Sequence, residues 1–296
     1  MAAVVVIGIG RVGAALVPRL VAAGHSVLAF DIDPDRRAAA ERAGARWVED
    51  LPGGLREVDV VITVVSGTPE LADLALSSDG VLPHLRRGAM WIDLTSASYE
   101  VSVRCADRAA EHGVAHVGAP IGGGPEAVAA GTATVFAGGR PDDVEAAVPL
   151  LTTFAQTVHR AGGPGHGNLA KLLVNLLWFG QVGLVTEALL LAQRMTLPPT
   201  LLREMLLGSA ADSRFVQDHL PLLIAGDHLP SFGLDRCVEE LAAVEDSATR
   251  AGTPHELISA VTALHRAALA RFGPVDGEML AAAWLEETAG SQLSDG

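Results

Sequence analysis

The chain has 296 residues, room for one large or two ordinary domains, and its 35 Asp and Glu against 21 Lys and Arg give a formal net charge of −14. So acidic a surface repels nucleic acid, which argues against a nucleic-acid-binding role. Cys105 and Cys237 are too few for a disulfide framework, and the short apolar run at Val4 lacks a basic segment before it, so the sequence reads as soluble and cytoplasmic.

From Ala3 to Ile9 the residues are apolar and mostly β-branched, the pattern of a parallel strand covered on both faces. The run enters Gly8-Ile9-Gly10-Arg11-Val12-Gly13, and a helix follows with apolar spacing at Val12, Leu16, Leu20 and Val21. Gly8 permits a tight turn, Gly10 lets backbone approach a pyrophosphate, and Gly13 lets helix and strand pack closely. The free N–H groups of the helix start then face the phosphates. A second strand, Ser26–Phe30, ends in Asp31, 18 residues past Gly13, where a carboxylate accepts from both ribose hydroxyls. Gly8, Gly10, Arg11, Val12, Gly13 and Asp31 are therefore expected to bind a dinucleotide. A carboxylate at 31 repels a 2′-phosphate and Ile32 cannot pair with one. Arg36 and Arg37 fall in the next helix and are expected to point to solvent, so the expected cofactor is NAD, with NADP the less favoured one. Pro18 predicts a local kink in the first helix.

Strand and helix then alternate. Apolar strands over Val58–Val65, Met90–Leu94, His116–Pro120 and Thr132–Gly138 end in small or polar residues. Strand ends of this kind line the ligand crevice of an open parallel sheet, which nominates Val65, Ser66, Thr95, Ser96 and Gly122-Gly123-Gly124, although each taken singly could be an ordinary turn residue. From Gly165 onward strand signals all but vanish, and helical periodicity fills 168–194, 199–208, 212–225, 234–251 and 254–271. The longest apolar stretch, Leu169–Leu191, is interrupted by Lys171, Asn175, Gln181 and Glu187 and reads as a buried helix rather than a membrane span. The expected organisation is α/β: a Rossmann-type doubly wound parallel sheet over 1–162, an all-helical substrate and oligomerisation domain over 163–290, and a disordered tail over 291–296.

Lys171 is the only lysine; the other 20 of the 21 basic residues are arginine. A lysine-poor genome could leave one by chance, but this one opens an apolar helix, where a surface lysine has no reason to be. Arginine keeps its proton at any working pH, whereas an ε-ammonium can exchange one when burial and a helix N-terminus lower its pKa. Hydride transfer to a carbonyl needs such a proton donor, and the reverse reaction needs a base. Asn175 lies four residues on, on the same helix face, and could hold a substrate hydroxyl or simply be satisfied within a helix pair. Nothing suggests a metal site.

These motifs together resemble the β-hydroxyacid dehydrogenases, relatives of 3-hydroxyisobutyrate and 6-phosphogluconate dehydrogenases, over nearly the whole chain. Asp93-Leu94-Thr95-Ser96 is similar to the family's Asp-x-Ser-Thr, and Gly118-Ala119-Pro120-Ile121-Gly122-Gly123-Gly124 to Asp-Ala-Pro-Val-Ser-Gly-Gly. Gly165-His166-Gly167 through Lys171 to Asn175 is similar to Gly-x-Gly-x-x-x-Lys-x-x-Asn-Asn. The resemblance implies that Lys171 is the acid/base, that Asn175 contacts substrate and that Ser96 sits at the nicotinamide. It further implies a small-molecule substrate and a homodimer or homotetramer built on the helical domain. Two departures bear on the substrate. Gly122 stands where the family has a carboxylate-gripping Ser, and Glu239 stands where it has a second lysine, unless Glu239 lies on a solvated helix face. These changes point away from a simple β-hydroxy carboxylate, toward a neutral or amine-bearing compound. An imine reductase on the same scaffold is an alternative, which Lys171 disfavours because that group usually carries Asp or Tyr there; a catalytically silent NAD-binding subunit is another.

Overall fold

A computed structural model describes residues 1–293. The first half alternates strand and helix: β1 (Ala3–Ile7), α1 (Arg11–Ala22), β2 (Ser26–Phe30), α2 (Arg37–Arg42), β3 (Arg46–Trp47), α3 (Leu51–Leu55), β4 (Val60–Thr63), α4 (Thr68–Leu76), β5 (Met90–Asp93), α5 (Tyr99–Glu111) and β6 (Ala115–Gly118). It continues with β7 (Ile121–Gly122), α6 (Gly124–Ala130), β8 (Ala133–Gly139), α7 (Pro141–Leu151) and β9 (Ala155–Gly162). The strands form one sheet in the order β3-β2-β1-β4-β5-β6-β8-β7, with β9 paired to β8. Pairing is parallel from β3 through β6, whereas β8 runs antiparallel to both β6 and β7.

The period-2 alternation of the central strands explains why both faces are covered. Val4, Val6, Ile62, Ile92 and Val117 enter a core on one side with Leu16, Val17 and Leu20 of α1. Val5, Ile7, Val61 and Trp91 enter a second core on the other side with Cys105 and Ala109 of α5. The strand order reverses at β1, which puts the loops after β1 and β4 at the topological switch point, where open α/β sheets bind ligands. Helix α1 runs through Pro18 to Ala22. Three strands escape the sequence reading: β3 and β7 are two residues each, and β9 is a largely exposed edge strand without apolar alternation.

The second half is helical: α8 (His166–Arg194), α9 (Pro199–Leu206), a π-helical turn at Phe215–His219, α10 (Leu220–Ile224), α11 (Leu234–Ala251), α12 (Glu256–Phe272) and α13 (Leu280–Ala289). Its core gathers Val182, Leu189, Phe215, Leu220, Leu223, Leu234, Ala268 and Met279. The Ala-rich α13 lacks a strong apolar stripe, which hides it from periodicity, yet Ala281 and Ala282 are fully buried. The chain forms two compact units, Met1–Lys171 and one from Leu172 onward, so the division falls inside α8 rather than at the glycine-rich segment 161–165. The reason is local: the first turn of α8 packs on the sheet, with Gly167 against the Phe136 and Gly118 carbonyls. Ser291 and Gln292 accept from Gln193 and Leu293 is buried, so these three residues of the expected disordered tail are tied to the helical unit; 294–296 lie outside the described residues.

Helix α8 corrects one expectation. It is buried on one face only. Val174, Leu177, Leu184, Leu191 and Met195 are exposed, the last four by 65–71 %. With Gln181 and Ala188 they recur at alternating intervals of three and four residues, the spacing of a coiled-coil seam. By length and composition alone this helix could cross a membrane.

Candidate active site

Within the first unit, the loop after β1 shows why its glycines are required. Gly8 has φ +97°, and a Cβ there would lie 2.1 Å from the Val64 carbonyl oxygen; a Cβ on Gly13 would lie 1.9 Å from that of Gly8. Gly10 is different, because nothing lies within 4 Å of its Cβ position. That opening, and a first turn of α1 that no side chain caps at Gly10, leave backbone N–H groups available to an anion. Arg11 is exposed beside them, and Val12 packs on the core. The residues present therefore fit a dinucleotide pyrophosphate. Asp31 is tied to the same loop: one carboxylate oxygen accepts from Ile9 N–H at 2.5 Å and the other from Asp33 N–H at 2.9 Å. Each oxygen retains a lone pair for a ribose hydroxyl. Arg36 pairs with Asp33 at 3.1 Å, and Arg37 with Glu41 and Glu49, so both arginines are engaged by carboxylates while half-exposed.

The loops after β4 and β5 are held by a buried network that the sequence reading did not assemble. Trp91 Nε1 donates to Thr63 Oγ1 (2.9 Å), whose hydroxyl donates to Asp93 Oδ1 (2.6 Å). The same oxygen accepts from Thr95 N–H, and Thr95 Oγ1 accepts from Val65 N–H. Burial pushes the Asp93 carboxyl up to about 6, against hydrogen bonds from Thr63 and Thr95 that act to lower it. Thr95 is buried, whereas Ser96 is half-buried and Ser66 exposed; the threonine thus supports the loop and the serines are its accessible hydroxyls. His116, edge-on to Trp91 on the adjacent strand, is held neutral by burial, its pKa lowered to about 4.

The triple glycine divides into two kinds. Gly123 (φ +97°) and Gly124 (φ +67°) occupy left-handed backbone at the start of α6. A Cβ on Gly122 would meet only ordinary contacts, the nearest at 3.7 Å from Phe136. Backbone geometry does not demand glycine at 122, so a serine hydroxyl could stand there and does not.

At the start of α8 the glycines again mark close approach. A Cβ on Gly165 (φ +79°) would strike the Tyr99 ring at 2.7 Å, and one on Gly167 would lie 2.3 Å from the Phe136 carbonyl oxygen and 2.5 Å from that of Gly118. The helix start is therefore pressed onto β6 and β8, which fixes where Lys171 emerges, half-buried, at the end of the first unit. One turn on, in the second unit, Asn175 donates its Nδ2 to the carboxylate of Glu240 on α11. Glu240 is 7 % exposed and escaped the sequence reading. Its signal was available: Leu234, Cys237, Leu241, Val244 and Ala248 make the buried stripe of α11, and position 240 lies on it. Glu239 is half-buried and accepts from Arg236 at 2.8 Å, so its charge is partly compensated by a neighbour three residues back. Among the described residues no cluster of His, Cys, Asp and Glu is placed to hold a metal ion.

Comparison with known proteins identifies the family. Residues 3–163 match the family profile described as the NAD binding domain of 6-phosphogluconate dehydrogenase, and residues 165–285 match that described as the NAD-binding of NADP-dependent 3-hydroxyisobutyrate dehydrogenase. The 2-(hydroxymethyl)glutarate dehydrogenase of Eubacterium barkeri is 25% identical, over 98% of this chain and 97% of its own length. Mycobacterium tuberculosis 3-hydroxyisobutyrate dehydrogenase, solved with L-serine, superposes with a TM-score of 0.89 at 25% identity, covering 96% of this chain and 99% of that one. An imine reductase from Pseudomonas sp. shares the fold at 20% identity and a TM-score of 0.58, covering 96% and 98%. The chain thus belongs to the β-hydroxyacid dehydrogenases and is an NAD(P)-binding dehydrogenase or reductase of that type.

Proposed function

We propose that the protein transfers a hydride between NAD(H) and a small hydroxyl or carbonyl compound, with Lys171 as the general acid/base. The observation that carries this reading is the placement of the sole lysine on the turn of α8 that Gly165 and Gly167 press onto the sheet. Bound at the loop after β1, the nicotinamide cofactor would supply or accept the hydride. Lys171 Nζ would give a proton to the developing alkoxide in reduction and take it from the hydroxyl in oxidation. Asn175, its amide oriented by Glu240, would hold the substrate oxygen one helical turn away. Ser96 and Ser66 would serve the cofactor as accessible hydroxyls on the strand ends.

The preference for NAD is supported by Asp31 and by the engagement of Arg36 and Arg37 with carboxylates, which leaves a 2′-phosphate no ready partner there. An amine-bearing or neutral substrate is supported by Gly122, which omits a hydroxyl its backbone would allow, and by Glu239 in place of a lysine. The same two features favour a second reading, an imine reductase, while Lys171 favours the dehydrogenase. For the working assembly we propose a homo-oligomer, on the strength of the exposed seam of α8: a monomer that leaves Leu177, Leu184, Leu191 and Met195 in water is unusual. Turnover measured across hydroxy acids, amino alcohols and cyclic imines, each with NADH or NAD⁺ and with the NADP pair, tests the proposal. The expected activity is on amino alcohols or their carbonyl partners with the NAD pair; activity confined to imines would select the second reading.

A further inference from the structure

We propose that a buried water-binding site lies over Gly118 and fastens the first turn of α8 to the sheet. Three polar side chains from three different elements are 0 % exposed around this point: Asp93 of β5, Ser102 of α5 and Asn168 of α8. Ser102 Oγ, both atoms of the Asn168 carboxamide and Asp93 Oδ2 have no hydrogen-bond partner within the protein. Their convergence is geometric. A Cβ on Gly118 would lie 3.0 Å from Ser102 Oγ and 3.8 Å from Asn168 Nδ2, and Asp93 is the register partner of Gly118 on the adjacent strand.

Buried groups with hydrogen-bonding capacity are almost always paired, and leaving several unmade in one place costs more than immobilising a water. The chemistry needed is that of a molecule that both accepts and donates. Ser102 Oγ–H and Asn168 Nδ2–H offer protons, whereas Asp93 Oδ2 and Asn168 Oδ1 ask for them, and water matches this set with about three bonds. The position has a further peculiarity. Gly118 does not adopt left-handed backbone, so its conformation does not require glycine, and in the motif it resembles the residue is aspartate. A carboxylate at 118 would accept from Ser102 and Asn168 directly. In this chain water takes over that role, and Asn168, three residues before Lys171, is the point where it grips the helix.

The test is a crystal structure of the full-length protein at a resolution that orders internal solvent. The expected result is full-occupancy water within hydrogen-bond distance of Ser102 Oγ and of Asn168, in contact with Asp93 Oδ2. Gly118→Asp should expel that water, with the new carboxylate bonded to Ser102 and Asn168. Gly118→Ala should expel it without replacement and raise amide exchange in the first turn of α8 at least tenfold over the parent. The proposal is overturned if the parent structure is dry there and Ser102 and Asn168 bond directly to each other or to backbone. It is equally overturned if Gly118→Ala exchanges like the parent. Should either variant fail to fold, the parent density decides the matter alone.

Discussion

Replacing Asp93 by Asn probes the network beneath the β4 and β5 loops. The Asp93 carboxyl is raised from 3.8 to about 6, so the native state holds this proton more tightly than the unfolded chain does. Its stabilising contribution is therefore fully present below pH 3.8 and is lost as pH rises through 6. At about 1.4 kcal/mol for each pH unit between the two values, the loss totals about 3 kcal/mol, and about 2 kcal/mol of it falls between pH 4.5 and 7. Asn fills the same volume, keeps an oxygen for Thr63 Oγ1–H and Thr95 N–H, and does not titrate. His116 titrates with the opposite sign: its pKa is depressed to about 4, so it adds stability as pH rises over an overlapping window. The absolute profile is flattened accordingly, but the difference between variant and parent isolates Asp93. Urea unfolding at pH 4.5 and at pH 7 should show Asp93→Asn gaining about 2 kcal/mol on the parent between the two. A difference that does not change with pH would mean that Asp93 titrates as an exposed carboxylate, and the buried network would be misread.

Two further perturbations address the substrate and the assembly. If Gly122 and Glu239 face the substrate as proposed, Gly122→Ser with Glu239→Lys should raise kcat/KM for small β-hydroxy carboxylates and lower it for amine-bearing substrates, since reversing a charge within about 4–6 Å of a ligand group is worth on the order of a few kcal/mol where the site is partly desolvated. Unchanged kinetics toward both classes would place Glu239, paired as it is with Arg236, outside substrate recognition. Leu184→Glu should lower the solution mass measured by light scattering without loss of fold, because the side chain is 71 % exposed within the chain. An unaltered mass would remove the α8 seam from the interface.

What could be read in the sequence followed from patterns with one physical solution. The apolar run into Gly8-Ile9-Gly10-Arg11-Val12-Gly13 admits little but a strand, a tight turn and a helix, and α11 spans the same 234–251 that its helical periodicity marks. The paired positions of Lys171 and Asn175 follow from helical spacing alone. What escaped was set by contacts remote in sequence. Asp93 looked like a strand-end residue, and only the register with Thr63 on β4 makes it the centre of a network. Glu240 adjoins the more conspicuous Glu239, and its role depends on a partner 65 residues away. The exposed face of α8 misled for a related reason: apolar periodicity reports that a face is to be covered, not by what. A buried core and an unpartnered seam leave the same trace.

In the proposed mechanism Lys171 moves a proton rather than merely supplying charge, and Lys171→Arg separates the two roles. Single-turnover hydride transfer, followed by NADH absorbance on the best substrate found, should fall by roughly two to four orders of magnitude in both Lys171→Ala and Lys171→Arg. NADH should bind both variants nearly as it binds the parent. Arginine preserves the positive charge but does not release its proton at neutral pH, so its failure would identify proton transfer as the lost step. An arginine variant that turns over within a few-fold of the parent would show that the site needs only a cation, and the acid/base assignment would be wrong.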